Sequence, residues 1–204
     1  MSKIPEFTNC SIVLLAGGRG QRMGGRDKGW ITWQGRALIE HMQLIVRSLT
    51  DDLIISCNRN QQRYQALADQ LISDPTQDFS GPLVGIIEAL KVAKHPQLLV
   101  LPCDAPRIDQ DLLTQLYAAA SDRPAMFKHQ DHWQPLFSII PKIQLHALQD
   151  LWCKGERSPK QALLQLNSVA IHCCDDEQRL ANFNDPSMLQ QSLISVRNNY
   201  VNSP

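Results

Sequence analysis

The chain has 204 residues, enough for one sizeable domain with a true core and short for two. Twenty basic residues balance twenty acidic ones, so the formal net charge is zero and bulk electrostatic attraction to nucleic acid or an anionic membrane is excluded. No apolar run approaches the roughly eighteen residues of a membrane span, and Met1–Cys10 lacks the apolar centre of a secretion signal, so the expectation is a soluble cytoplasmic monomer with no nucleic-acid or membrane partner.

The first predicted element is a strand at Ser11–Leu15, which runs straight into the glycine-rich stretch Ala16–Lys28. Five of the ten glycines lie between Gly17 and Gly25, together with Arg19, Arg22, Arg26 and Lys28. Glycines let backbone N–H groups turn inward, and the cations supply the charge a phosphate chain requires, so the stretch reads as a polyphosphate cradle. It is not a P-loop, because Lys28 is followed by Gly29 and no hydroxyl stands where Mg²⁺ would need one. Nor is it the dinucleotide fingerprint, because the position of the third glycine after Gly18 and Gly20 is Met23.

Helical spacing follows over 37–49, where Leu38, Ile39, Met42, Ile45, Val46 and Leu49 form one apolar stripe. A strand is predicted at Leu53–Cys57 and a helix over 61–71. Asp74, just before Pro75, either contacts a ligand or caps the following turn. Ser80-Gly-Pro-Leu-Val-Gly85 opens a helix over 83–94; Gly81 and Gly85 there serve either close ligand approach or tight helix packing. The strand Gln97–Leu101 ends in Pro102-Cys-Asp104-Ala-Pro106. A carboxylate between prolines beyond a buried strand is where open α/β sheets place ligands, and its hard oxygens suit a metal such as Mg²⁺. Taken alone, an acidic residue at a strand end is more often a solvated turn residue; the phosphate-type loop in the same chain favours the metal reading for Asp104.

Further on, a helix over 110–120, strands at 125–127 and 136–140, helices over 143–152 and 159–165, a strand at 169–172 and a last helix over 186–195 complete an alternating pattern. This is the pattern of an α/β fold with a largely parallel sheet, one domain over 1–196 with a frayed tail at 197–204. Lys154, Arg157 and Lys160 cluster in seven residues, as a phosphate receptor or as a solvated helix start. The cysteines, at 10, 57, 103, 153, 173 and 174, include no C-x-x-C pair and read as buried or half-buried apolar residues. The six histidines show no metal-ligand spacing.

The spelling Leu15-Ala-Gly-Gly, Arg22-Met-Gly-Gly and Asp27-Lys28 resembles the signature of the molybdenum cofactor guanylyltransferases, the MobA family of the nucleotidyltransferase superfamily. Several later stretches agree in order: Asp74 with Gly81-Pro-Leu-x-Gly85, Pro102-x-Asp104-x-Pro106, His132-Trp-Gln-Pro-Leu136, Gly155-Glu-Arg-Ser158 and Asn182-Phe-Asn184. The resemblance implies a Rossmann-like three-layer sandwich of the nucleotide-diphospho-sugar transferase type. Its nucleotide part would span about 8–108 and its acceptor part about 109–196. It implies transfer of GMP from GTP to a molybdopterin cofactor, with cofactor-delivery proteins as further partners and Mg²⁺ on Asp104.

Arg22, Lys28 and Asp104 would be the catalytic groups. Leu15, Ala16, Gly17, Gly18, Asp74 and Gly81, with Lys28 and Asp104, would bind the nucleotide, and Asn182 and Asn184 the acceptor. Two departures stand out: Ser56 occupies the place of the family's nucleotide-contacting asparagine, and Asp185 that of a threonine. A relative using CTP or another acceptor, or a GTP-binding carrier without turnover, is the alternative; the glycine pair at 17–18 and the joint presence of Arg22, Lys28 and Asp104 weigh against them.

Overall fold

The computed structural model describes residues 6–18, 26–75, 81–173 and 177–183. Arg22 and Asn184, the expected helix over 186–195, Asp185 and the tail lie outside the described residues. A seven-stranded sheet runs in the order β5-β4-β1-β6-β8-β7-β9. Its strands are β1 (Cys10–Leu15), β4 (Leu53–Ser56), β5 (Gln70–Ile72), β6 (Gln97–Pro102), β7 (Ala125–His129), β8 (His132–Pro141) and β9 (Val169–His172). All pairs are parallel except those made by β8, which runs against both β6 and β7.

Alternate residues of the central strands feed two cores, which is what makes three layers. Ile12, Leu14, Leu53, Ile55, Leu99 and Leu101 meet α1 (Leu38–Val46) and α4 (Gln110–Ala118) through Ile39, Met42, Val46, Leu112 and Leu116. On the opposite face Val13, Ile54, Leu98 and Val100 meet α3 (Pro82–Val92), α5 (Leu145–Cys153) and α6 (Pro159–Gln165). Burial on both faces explains why these strands are apolar throughout rather than alternating. The helix starts follow local chemistry: Asp109 accepts from Leu112 N–H, Ser158 accepts from Gln161 N–H, and Pro82 and Pro159 fill first-turn positions that need no donor. Among the described residues no helix is long and apolar enough to cross a membrane.

Three elements differ from the sequence-based expectation. The helix expected over 61–71 is only α2 (Gln61–Tyr64) and a 3₁₀ turn, because Gln70–Ile72 pairs with Ile54–Ser56 as an edge strand. Asp69 enforces that turn by accepting from Leu53 N–H at 2.7 Å and from Arg47 at 2.8 Å. Second, β8 starts four residues before Leu136. Pro135, which hid the strand, sits at a bulge where the register slips between Met126 and Phe127, so no ladder donor is missed. Third, a short hairpin, β2 (Thr32–Trp33) and β3 (Arg36–Ala37), turns on Gln34 and Gly35, both at positive φ as a type I′ turn requires.

Candidate active site

Leu15 pairs with Ser56 on one side and Pro102 on the other, so β1, β4 and β6 end level and their following residues share one rim. Ala16 N–H continues the ladder to Ser56 O (2.8 Å) and Cys103 N–H to Leu15 O (3.1 Å) before the chain leaves the sheet. A cleft of about 340 Å³ opens there, lined by Leu15, Ala16, Gly17, Gly18, Lys28, Ser56, Asp74, Gly81, Pro82, Gly85, Pro102, Cys103, Asp104, Leu136 and Asn182.

Lys28 reaches this rim from a 3₁₀ turn at Lys28–Trp30 whose cap is Asp27. The Asp27 carboxylate accepts from Gly29 N–H (3.2 Å), from the buried Tyr64 hydroxyl (2.6 Å) and from the Asn60 amide (2.9 Å). Gly29 is glycine for want of space, since a Cβ there would lie 2.5 Å from the Tyr64 oxygen. So fixed, Lys28 sets its Nζ 3.3 Å from Oδ2 of Asp104, whose side chain is only 8% exposed. Burial pushes the Asp104 carboxyl above the usual carboxylate range, and the Lys28 charge and hydrogen bond offset only part of that. Its anion is therefore under-compensated, which is the condition in which a further cation is favourable.

Across the cleft, Asp74 follows β5. Its carboxyl is also held up by burial, against a hydrogen bond from Asn58. Gly81 stands at φ +95 and ψ 177, backbone that only glycine adopts readily, and starts α3 beside the cleft. Gly85, one turn into α3, is needed for close packing: a Cβ there would come within 2.9 Å of Ser56 Oγ and 3.2 Å of Leu15.

Asn182 arrives from the far end of the chain. Phe183 N–H donates to Asp104 O at 2.7 Å, and the Phe183 ring packs with Ile31 and Leu38 and edge-on to Trp33 at 5.1 Å. The Asn182 side-chain oxygen is buried with no hydrogen-bond partner among the described residues, an acceptor still to be satisfied.

Nine expected site residues thus line one cleft: Leu15, Ala16, Gly17, Gly18, Lys28, Asp74, Gly81, Asp104 and Asn182. The basic cluster after α5 does not join them. Arg157 stacks on Trp152 at 3.8 Å and donates to the carbonyls of Trp152 and Glu156, so it serves its own turn. Cys10, Cys57 and Cys103 are buried as expected, and burial pushes the Cys10 and Cys57 thiols up to about 12 and about 11. Cys153 departs from that expectation by being exposed at the end of α5. Pro82, Pro102, Cys103 and Leu136 also line the cleft; each stands inside one of the motifs, yet its own residue type carries no signal of a ligand contact.

A largely parallel sheet between two helical layers, with a cleft at the carboxyl ends of its central strands, is the architecture of an α/β nucleotidyltransferase, and that rim is where such sheets take ligands. Residues 12–170 match the MobA-like NTP transferase domain. The chain is 54% identical over 186 residues to the molybdenum cofactor guanylyltransferase of Pseudomonas putida (strain GB-1), covering 90% of this chain and 97% of that one. It is 57% identical over 183 residues to the Pseudomonas aeruginosa (strain LESB58) enzyme of the same name, covering 88% and 92%. The chain belongs to the molybdenum cofactor guanylyltransferase family of MobA-like NTP transferases.

Solved structures agree at the level of fold. Molybdopterin-guanine dinucleotide biosynthesis protein A from Archaeoglobus fulgidus superposes with a TM-score of 0.73 at 23% identity, covering 91% of this chain and 98% of that one. A 4-diphosphocytidyl-2C-methyl-D-erythritol synthase from Anaerococcus prevotii gives 0.72 at 11%, covering 92% and 96%.

Proposed function

We infer that this enzyme transfers GMP from GTP to the molybdenum–molybdopterin cofactor, releasing pyrophosphate. The observation that carries the chemistry is the Lys28–Asp104 pair at 3.3 Å on the same rim as the Gly17–Gly18 backbone. The terminal phosphate oxygen of molybdopterin attacks the α-phosphorus of GTP. A new P–O bond forms, the bond from the α-phosphorus to the α,β-bridging oxygen breaks, and its electron pair leaves with pyrophosphate. Most of the catalysis asked of the protein is alignment and charge neutralisation.

The residues take roles that follow from their places. Lys28 and the Gly17–Gly18 backbone would grip the β- and γ-phosphates and stabilise charge on the leaving group, with Arg22 assigned to the same task from its sequence position. Asp74, across the cleft, would accept the two adjacent donors of the guanine edge, N1–H and N2–H, which adenine and cytosine do not offer together. Asn182, with its unsatisfied oxygen, is assigned to the acceptor side, and Asn184 with it by sequence.

Nucleotidyltransferases typically use a divalent metal, and Mg²⁺ is the ion we propose. The donor set fits it: Asp104 offers a buried, under-compensated carboxylate, and a hard ion of this kind is commonly held by one or two carboxylates together with substrate phosphates. When bound, it supplies charge neutralisation on the triphosphate.

The test is direct. Purified protein with Mg²⁺, molybdopterin and each nucleoside triphosphate in turn should give pyrophosphate and a dinucleotide product with GTP. Equal use of CTP would overturn the guanylyl assignment, and no product with any nucleotide would replace the enzyme reading by a carrier.

A further inference from the structure

We propose that Asn58 is the positioning residue for guanine selection, acting through Asp74; the proposal rests on the reading of Asp74 as the base-facing carboxylate. Asn58 stands two residues past the end of β4 and holds Asp74 at two points. Its side-chain oxygen accepts from Asp74 N–H at 2.8 Å, and its amide nitrogen donates to Asp74 Oδ2 at 2.7 Å. The two contacts fix each other's sense, because a rotated amide would set oxygen against carboxylate and N–H against N–H.

The same nitrogen lies 3.5 Å from the carbonyl of Gly17, so one amide touches both the glycine-rich turn and the base-side carboxylate. Gly17 makes room for this: a Cβ there would meet the Asn58 nitrogen at 3.3 Å.

What this grip achieves follows from the chemistry of the partner. Two parallel N–H donors on a planar edge need a carboxylate that is ionised and held in plane. Asn58 occupies Oδ2, and no hydrogen bond among the described residues engages Oδ1, which leaves that oxygen's direction set by the Asn58 contact. The hydroxyl of Ser56 cannot substitute. It packs toward α3, against the position Gly85 keeps open, and makes no bond to Asp74. In this chain the amide chemistry beside the base therefore resides in Asn58.

Calorimetric binding of GTP and of ATP to the full protein with Mg²⁺ tests the idea on Asn58→Ala, Asn58→Asp and Asp74→Ala, each checked for a cooperative thermal transition. Asn58→Ala should cut the GTP-over-ATP preference about tenfold, as loss of a hydrogen bond to a charged group does, with ATP affinity kept within about twofold. Asn58→Asp fills the same volume but sets a like charge against Asp74, and should lose at least as much. Equal weakening of GTP and ATP in both Asn58 variants would make Asn58 merely structural and overturn the proposal. So would an unchanged preference in them while Asp74→Ala loses it. If Asp74→Ala itself keeps the preference, the reading of Asp74 falls first, and that outcome is distinct from the other two.

Discussion

Lys28 Nζ and Asp104 Oδ2 stand 3.3 Å apart, joining residues 76 positions distant in sequence, and the carboxylate is the more deeply buried partner at 8% exposure against 25%. The lysine is therefore the more accessible partner, and both residues line the cleft. Lys28→Ala should lower kcat/KM for GTP roughly thirtyfold, about 2 kcal/mol, the usual worth of a charge-assisted contact to phosphate. Asp104→Ala should abolish turnover. Steady-state kinetics in both substrates checks each: a Lys28→Ala effect confined to the molybdopterin KM would misplace the lysine, and near-normal activity of Asp104→Ala would remove that residue from the metal site.

The same aspartate should cost the apo protein stability. Its folded carboxyl binds a proton more tightly than the unfolded one, so the ionisation penalty is absent at pH below the ordinary carboxylate value and grows as pH rises through the raised folded value. Asp104→Asn mimics the protonated form. It should raise Tm near pH 7 while eliminating activity, and the gain should shrink toward zero near pH 3. Scanning calorimetry of both proteins across that range is the measurement, and a lower Tm for the variant at pH 7 would contradict the sign.

Much of this site was legible in the sequence because its signals are local. The glycines of 17–25, Lys28 after Asp27 and Asp104 between two prolines are statements about backbone freedom and charge that need no tertiary context. The central strands were legible for a related reason: burial on both faces makes them uniformly apolar. What failed was non-local. Gln70–Ile72 has a helix-compatible composition and becomes a strand only through its pairing with β4, and the Thr32–Ala37 hairpin rests on positive φ at Gln34, which a glutamine does not advertise. Asn58 follows the strand end at Ser56, but nothing local marks its grip on a residue sixteen positions away.

The Gly29–Tyr64 contact makes a double-mutant prediction. Gly29 is buried, and an added methyl would sit 2.5 Å from the Tyr64 hydroxyl but 3.3 Å from its ring carbon. Gly29→Ala alone should cost about 2 kcal/mol, as overpacking in a rigid site does. Tyr64→Phe alone should cost about 1.5 kcal/mol through the lost hydrogen bond to Asp27. Removing the oxygen also removes the clash, so the double variant should be more stable than the sum of the two by about 1 kcal/mol. Urea denaturation of the four proteins measures the coupling, and strict additivity would show that the tyrosine moves aside.

A second buried aspartate, Asp52, lies at the opposite end of the same sheet and should behave with the reverse sign. Burial pushes its carboxyl up, but Lys94 N–H at 2.9 Å, Ser11 Oγ at 2.6 Å and Gln70 Nε2 at 2.6 Å donate to it, with the Lys94 ammonium 3.7 Å away, and together they hold it below the usual range. These bonds tie the start of β1 to β5 and to the segment between α3 and β6. The stability they contribute is present above the unfolded carboxylate value and is lost as pH falls through the lowered folded value. Asp52→Asn should therefore lower stability at pH 7 by roughly 2–3 kcal/mol, because a hydrogen-bonded buried charge is replaced by a group that can accept at only one oxygen. The deficit relative to the parent should narrow in acid, opposite to the trend for Asp104→Asn. GTP affinity of the folded variant should stay within about twofold, since Asp52 sits at the amino end of β4 and the cleft at its carboxyl end. Thermal scans at pH 7 and pH 3 beside GTP titrations check both halves, and a large loss of GTP affinity would show that the two ends of the sheet are coupled.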